Sequence, residues 1–318
     1  DYIAAHALGV RAGIEEMAPA LLGLDPRRVD RVNEAMDQAL AGHLHAKSPI
    51  DVACWDLFGQ ATGMPVCDLL GGRTGHRMSV IDSIHCGDPD DMRRRVAETR
   101  ARGFRGHSVK VGATPDEGGP MLDAARIEAA LADARRDEYF LVDCNGALPP
   151  EHVLRMLRLL PDRLDFVLEA PCATWRETAS VRRRTSVPIM LDELADSDES
   201  VLRSITDDVA DGIGLKISKN GGLTRGRRQR DMCLAAGLTV SVQETAGSPI
   251  AFAAIAHLGQ TVPPPMLRCV LDVRDMYHTV TAAFDAPVID GGVIAPDAPG
   301  LGLSVDPEVL GEPVARYA

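Results

Sequence analysis

A (β/α)8 barrel is the fold class that this sequence predicts, and three observations lead there. Short apolar runs of five to seven residues recur from residue 78 onward, each is followed by a polar, arginine- and alanine-rich stretch of about a dozen, and eight such units fit before the chain turns rich in glycine and proline. The expected strands are MSVIDSI, HSVKVG, YFLVDCN, FVLEAP, PIMLDEL, GIGLKIS, TVSVQET and MLRCVLD, starting near residues 78, 107, 139, 166, 188, 212, 239 and 266. Their runs are continuously apolar, as parallel strands covered on both faces require, and the intervening stretches are long enough for right-handed helical crossovers. The last helix is expected to be shortened.

Residues 1–77 read differently, as a mostly helical region. From Ala46 to Gly72 (AKSPIDVACWDLFGQATGMPVCDLLGG) apolar side chains recur at helical spacing before a Gly-Gly stop. The tail from Ala286 carries Gly-Gly and Pro-Gly turns between short extended runs, and is expected to return to the first region and close a second, α+β capping domain. The expected division is thus 1–77 for the helical part of the cap, 78–285 for the barrel and 286–318 for the returning tail.

Composition narrows the function classes. A chain of 318 residues with 45% hydrophobic content can bury one large core or two smaller ones. Its formal charge of -12 argues against a nucleic-acid partner. The arginine runs at 93–95, 182–184 and 227–228 lie among acids in helix-like stretches and read as solvated faces. The most apolar stretch, SPIAFAAIAHLG, falls short of the ~20 residues a bilayer span needs, so no membrane partner is expected. Seven cysteines without a CxxC pair suggest neither a zinc site nor a disulfide framework, and point to a reducing cytoplasm. The chain opens at Asp1 with no charged-then-apolar leader, which reads as a truncated start without a secretion signal.

The chemistry lies at the strand ends. Asp143, Glu169 and Asp192 each close an apolar run, and with Lys216 they follow at intervals of 26, 23 and 24 residues, about one βα unit each. In this fold the carboxyl ends of the strands converge on one face, so the four should share a rim. One such aspartate alone reads best as a helix cap. Three in succession would repel unless a cation neutralised them, and an all-oxygen donor set without Cys or His favours Mg²⁺, with Mn²⁺ also compatible. Asn145 and Glu193 are candidates to orient the ligands. Lys110 and Lys216 end the second and sixth strands on opposite sides of the metal strands, where desolvation and a nearby cation can lower an ammonium pKa enough for it to act as a base; two opposed bases suit stereochemical inversion. His85 and His107 read as structural, and Cys86 and Cys144 as small packing residues. The glycine-rich loop GATPDEGGP lacks the ending of a phosphate cradle.

These segments, IDVACWD, LLGG, HSVKVG, DCN, LEAP, LDE and LKISKNGG, resemble the enolase superfamily in its muconate-lactonizing subgroup, over nearly the whole chain. The resemblance implies Asp143, Glu169 and Asp192 as Mg²⁺ ligands, Lys110 and Lys216 as the acid/base pair, and a small carboxylate substrate whose α-proton is abstracted to give an enediolate. Ser108 and Lys219 are drawn in as further site residues; Ser108 stands where the subgroup has the first lysine of a Lys-x-Lys pair, which removes a charge that would depress Lys110. The resemblance also implies a homo-oligomer, and a β-meander at the start of the cap that lies before Asp1. HALGVRAGIEEMAPALLG and PGLGLSVDPEVLGEPVA are most similar to hydroxyproline-betaine epimerases and their relatives. A quaternary ammonium asks for an aromatic cage, whereas SVQETAGSP offers Glu244 in a chain only 4% aromatic, and Glu244 or Asp272 would serve an ordinary ammonium. The expected function is a Mg²⁺-dependent racemase or epimerase acting on a proline derivative. The alternatives are dehydration of a hydroxyproline such as cis-3-hydroxy-L-proline, a muconate-type cycloisomerisation, which the acidic Glu244 and Asp272 disfavour, and a catalytically degraded metal-binding relative.

Overall fold

Eight short strands pair in parallel, in the order in which the chain makes them, and the last closes on the first. They are β1 (Met78–Ile84), β2 (Gly106–Lys110), β3 (Tyr139–Asp143), β4 (Val167–Glu169), β5 (Ile189–Leu191), β6 (Gly212–Lys216), β7 (Thr239–Gln243) and β8 (Leu267–Leu271). The computed structural model describes residues 5–244, 247–271, 279–284 and 286–317. The shortened last helix expected after β8 falls largely on residues 272–278, outside the described residues. Among the described residues no helix is long and apolar enough to cross a membrane, and all seven cysteines are free thiols.

Four of the crossover helices start at a side-chain cap. Asp88 accepts from Asp90 N (3.0 Å) ahead of α5 (Pro89–Ala101), and Thr174 accepts from Glu177 N (3.3 Å) ahead of α8 (Trp175–Arg182). Ser197 and Ser200 form a reciprocal box at α9 (Asp198–Asp207), and Ser248 caps α12 (Pro249–Gly259) with proline at its first position. The arginine triplet at 93–95 lies on the outer face of α5, where Arg93 and Arg94 are half-exposed and pair with Asp133, Asp91 and Glu98.

Before the barrel come α1 (Ala7–Leu21), α2 (Val29–Ala39), α3 (Leu44–Thr62) and the single turn α4 (Val66–Leu69). One link between them and the barrel is a buried carboxylate. The helix α11 (Leu223–Ala236), which follows β6, begins at Gly222 and has no side chain of its own to cap it. Asp51 of α3 takes that place: it accepts from Thr224 N (3.0 Å) and the Thr224 hydroxyl, and from Asn33 Nδ2 of α2 (2.6 Å). Trp55 Nε1 donates to the same Thr224 hydroxyl (2.9 Å). Gly222 has φ 110°, and a Cβ there would stand 2.3 Å from Asp51 Oδ2, so only glycine fits. The IDVACWD segment thereby fixes the loop that leaves β6.

The tail touches both parts. Gly300 exchanges backbone bonds with Val66 and Met64 (2.9 and 3.0 Å), Asp56 accepts from Leu301 N (2.7 Å), and β10 (Gly292–Val293) pairs antiparallel with β1. Within the tail, β9 (Ala282–Phe284) pairs with β11 (Leu303–Val305).

His257 of α12 staples this junction. Its Nδ1 accepts from Cys67 N and its Nε2 donates to Leu301 O, both at 3.1 Å, so the ring must be neutral with its proton on Nε2. Burial holds its pKa down, from 6.5 to about 4. Between those values the unfolded chain binds a proton that the folded one refuses. The contribution is therefore intact above pH 6.5 and is lost as pH falls toward 4, amounting to about 3 kcal/mol. Urea unfolding of wild type and His257→Leu from pH 7.5 to 4 is expected to show a shallower pH dependence in the variant; parallel curves would contradict it.

Candidate active site

Strand register sets the chemistry side by side. Lys110, Asp143 and Glu169 are neighbours in one row across β2, β3 and β4. Glu169 is level with Met190 of β5, so Asp192, two residues further on, stands one step higher at the same rim. Lys216 is level with Gln243 on β6 and β7. Lys110, Asp143, Glu169, Lys216, Gln243, Asn145, Ser108 and Glu244 all line one cavity of about 310 Å³ at the carboxyl ends of the strands, a small volume for a ligand pocket. A wider groove of about 960 Å³ beside Trp55 and Arg227 holds none of the predicted site residues.

Each predicted carboxylate among the described residues has a protein partner. Lys110 Nζ donates to Asp143 Oδ2 and to Asn145 Oδ1 (3.2 Å), Lys216 Nζ donates to Asp192 Oδ2, and Lys219 Nζ donates to Asp192 Oδ1 (2.9 Å). Glu169 Oε1 accepts from Gln243 Nε2 (3.1 Å). Asn145 Nδ2 donates to Glu193 Oε1 (3.0 Å), which joins the β3 and β5 loops. Glu244 accepts from the Ser218 amide (3.0 Å) and hydroxyl, and the residue lines the cavity. Asp272 lies outside the described residues.

The charges push on one another. Burial, then the Asp143 and Asp192 carboxylates, raise Glu169 well above the usual range. Burial acts the same way on Asp192, but the Lys219 and Lys216 ammonium groups outweigh it and hold that carboxyl near 2. Burial would lower Lys216 and Lys110, yet the carboxylates facing them reverse the sign: Asp192 and Glu169 raise Lys216, and Asp143 and Glu169 raise Lys110. The sequence reading tied a lowered lysine pKa to desolvation together with a nearby cation; among the protein groups alone, the ion pair that each amine makes with a carboxylate acts against the desolvation.

Among the described residues no three Asp, Glu, His or Cys side chains stand in a ready-made metal-binding arrangement, and Asp143 and Asp192 are engaged by lysines. The donor chemistry nonetheless fits a divalent cation. The carboxylates of Asp143, Glu169, Asp192, Glu193 and Glu244 outnumber the amines of Lys110, Lys216 and Lys219 here, burial and Asp192 raise Glu193, and Glu193 Oε2 is buried without a partner. An oxygen-only set carrying excess negative charge suits Mg²⁺ or Mn²⁺.

Other predicted residues fall where strand parity puts them. His107 faces outward from β2, 3.0 Å from Thr99 Oγ1 and with its ring tilted 32° against that of Phe140 at a centroid distance of 5.0 Å. Cys144 is buried, whereas Cys86, expected to be a packing residue, is exposed at the cavity mouth with His85, because the chain leaves the barrel after Ile84.

Sequence reasoning missed Gln243 and Gly214. Parity on β7 could have found Gln243, since in-facing positions alternate and Glu244 at the strand end had drawn attention instead. A Cβ at Gly214 would meet Glu169 Oε1 at 3.2 Å and Gln243 Nε2 at 3.4 Å, so the glycine leaves room for that bond.

Comparison with known proteins gives a consistent picture. Residues 91–309 match the enolase C-terminal domain-like family, and residues 2–71 match the mandelate racemase / muconate lactonizing enzyme N-terminal domain. The chain is 39% identical to a cis-3-hydroxy-L-proline dehydratase of Roseibium aggregatum, over all of this chain and 85% of that protein. It is 27% identical to an N-succinyl-L-Arg/Lys racemase of Bacillus cereus, over 93% of this chain and 79% of the relative. A solved mandelate racemase/muconate lactonizing enzyme-type structure from Roseovarius nubinhibens, complexed with magnesium, superposes with a TM-score of 0.98 at 52% identity, covering all of this chain and 87% of the other.

Proposed function

Since the chain belongs to the mandelate racemase/muconate lactonizing enzyme family of the enolase superfamily, we propose that it dehydrates a 3-hydroxylated cyclic α-amino acid such as cis-3-hydroxy-L-proline. Asp143, Glu169 and Asp192 would hold a divalent cation, with Gln243, Asn145, Glu193 and Lys219 positioning those carboxylates. When bound, the cation supplies positive charge against the substrate carboxylate while the α-carbon loses its proton.

The observation that carries this reading is the pair Lys110 and Lys216, on β2 and β6, bordering one small cavity from two sides of the carboxylate row. In the cis-3-hydroxy isomer the hydroxyl shares a ring face with the carboxylate, so the α-hydrogen lies on the opposite face. Elimination then asks for a proton acceptor on one side and a donor on the other, which two opposed lysines can supply. The α C–H electrons form the C2=C3 bond, the C3–O bond breaks, and the hydroxyl leaves as water. The enamine tautomerises to the ring imine. Glu244 offers a carboxylate to the ring ammonium. No Trp, Tyr or Phe is among the described residues that line the cavity, which argues for a secondary ammonium over a betaine.

Epimerisation, which the sequence reading placed first, is the second reading. It uses the same lysines and is supported by the racemase relative. Elimination moves ahead because the relative that is 39% identical over the full chain is a dehydratase. Incubating proline and its 3- and 4-hydroxylated isomers with Mg²⁺ and weighing the products decides between the two. Loss of water from the cis-3-hydroxy isomer is the expected result; unchanged mass with an inverted α-carbon would favour epimerisation.

A further inference from the structure

We propose that Ser83 and Ser108 form a subsite for the substrate's ring hydroxyl, placed on the Lys110 side of the cavity. This rests on the reading above of a hydroxylated cyclic substrate.

The two serines are register partners on β1 and β2, and both line the cavity. Partners on adjacent strands stand about 4.8 Å apart, a separation one substrate oxygen can bridge. Ser108 is only 5% exposed. Neither hydroxyl hydrogen-bonds another described residue; the side-chain bond at Ser83 uses its backbone amide, which donates to Asp82 Oδ1 (2.8 Å). Two unengaged hydroxyls facing a buried cavity leave hydrogen-bonding capacity for a ligand to fill.

Their surroundings define that ligand group. Ile81, Leu141 and Leu271 also line the cavity, and the carboxylate residues that line it, Asp143, Glu169 and Glu244, stand on β3, on β4 and at the end of β7. A carboxylate lodged between β1 and β2 would meet one ammonium, that of Lys110. A hydroxyl suits the place better, because each serine can both donate to it and accept from it. Ser108 and Lys110, two apart on one strand, face the same way, so an oxygen seated on the serines lies on the Lys110 side. Lys110 then gives its proton to the departing hydroxyl as the C3–O bond breaks, and Lys216 accepts the α-proton from the other side. One amine starts protonated and the other neutral, they end exchanged, and solvent restores both.

The test compares wild type with Ser83→Ala, Ser108→Ala and the double variant, with Mg²⁺ present. Calorimetry reads the dissociation constants of cis-3-hydroxy-L-proline and L-proline; separate assays read water loss and α-proton exchange of L-proline in D2O. Each serine is expected to account for about a tenfold preference for the hydroxylated ligand, so the double variant should lose both the preference and about 100-fold in elimination, with proline exchange changed less than about twofold. Equal losses for both ligands, or no preference in wild type, overturn the subsite. If wild type eliminates water and the double variant does so equally well, the subsite fails while the dehydratase reading stands. If the serines confer the preference but wild type neither eliminates nor exchanges, the subsite stands and the dehydratase reading fails.

Discussion

Alanine at Lys216 is expected to abolish both α-proton exchange and water loss, a fall of about 10³-fold or more, whereas alanine at Lys110 is expected to abolish water loss and leave exchange measurable. The asymmetry follows from the opposed placement of the amines and from the serine pair beside Lys110. Neither change should unfold the protein. Asp192 keeps Lys219 at 2.9 Å when Lys216 is gone, and Asp143 keeps the Asn145 amide at 2.8 Å when Lys110 is gone. The thermal midpoint should nonetheless drop, because a buried carboxylate loses a counter-charge in each case. Proton NMR in D2O with cis-3-hydroxy-L-proline reads exchange and product together, and full turnover in both variants would contradict the two-lysine reading.

Much of the barrel was legible because parallel strands covered on both faces are apolar at nearly every position. The expected strand starts at 78, 139, 212 and 239 agree with the structure, and those at 107, 166, 188 and 266 differ by one residue. Strand-end position also marked Lys110, Asp143, Glu169, Asp192 and Lys216, since a charged residue closing an apolar run is visible in a single sequence. The partners of those groups were not visible. That Lys216 and Lys219 share Asp192, that Gln243 bonds Glu169, and that Asp51 caps α11 all depend on register and on contacts between distant parts of the chain. The ion pairs of the lysines were hidden for the same reason: burial was foreseeable, but the facing carboxylates that raise Lys216 and Lys110 against it were not.

Glu169→Gln is expected to separate metal binding from folding. Glu169 is 2% exposed and flanked by Asp143 and Asp192, so a neutral side chain of the same shape removes repulsion and can still accept from Gln243. The metal-free variant should be at least as stable as wild type. Its affinity for Mg²⁺ should fall by at least about 100-fold, because one of three anionic donors is gone. Calorimetric titration of Mg²⁺ into wild type and Glu169→Gln therefore addresses the carboxylate rim directly. One ion per chain in wild type and none detectable at the same concentrations in the variant is the expected result; equal binding by both proteins, or none by wild type, would contradict the account.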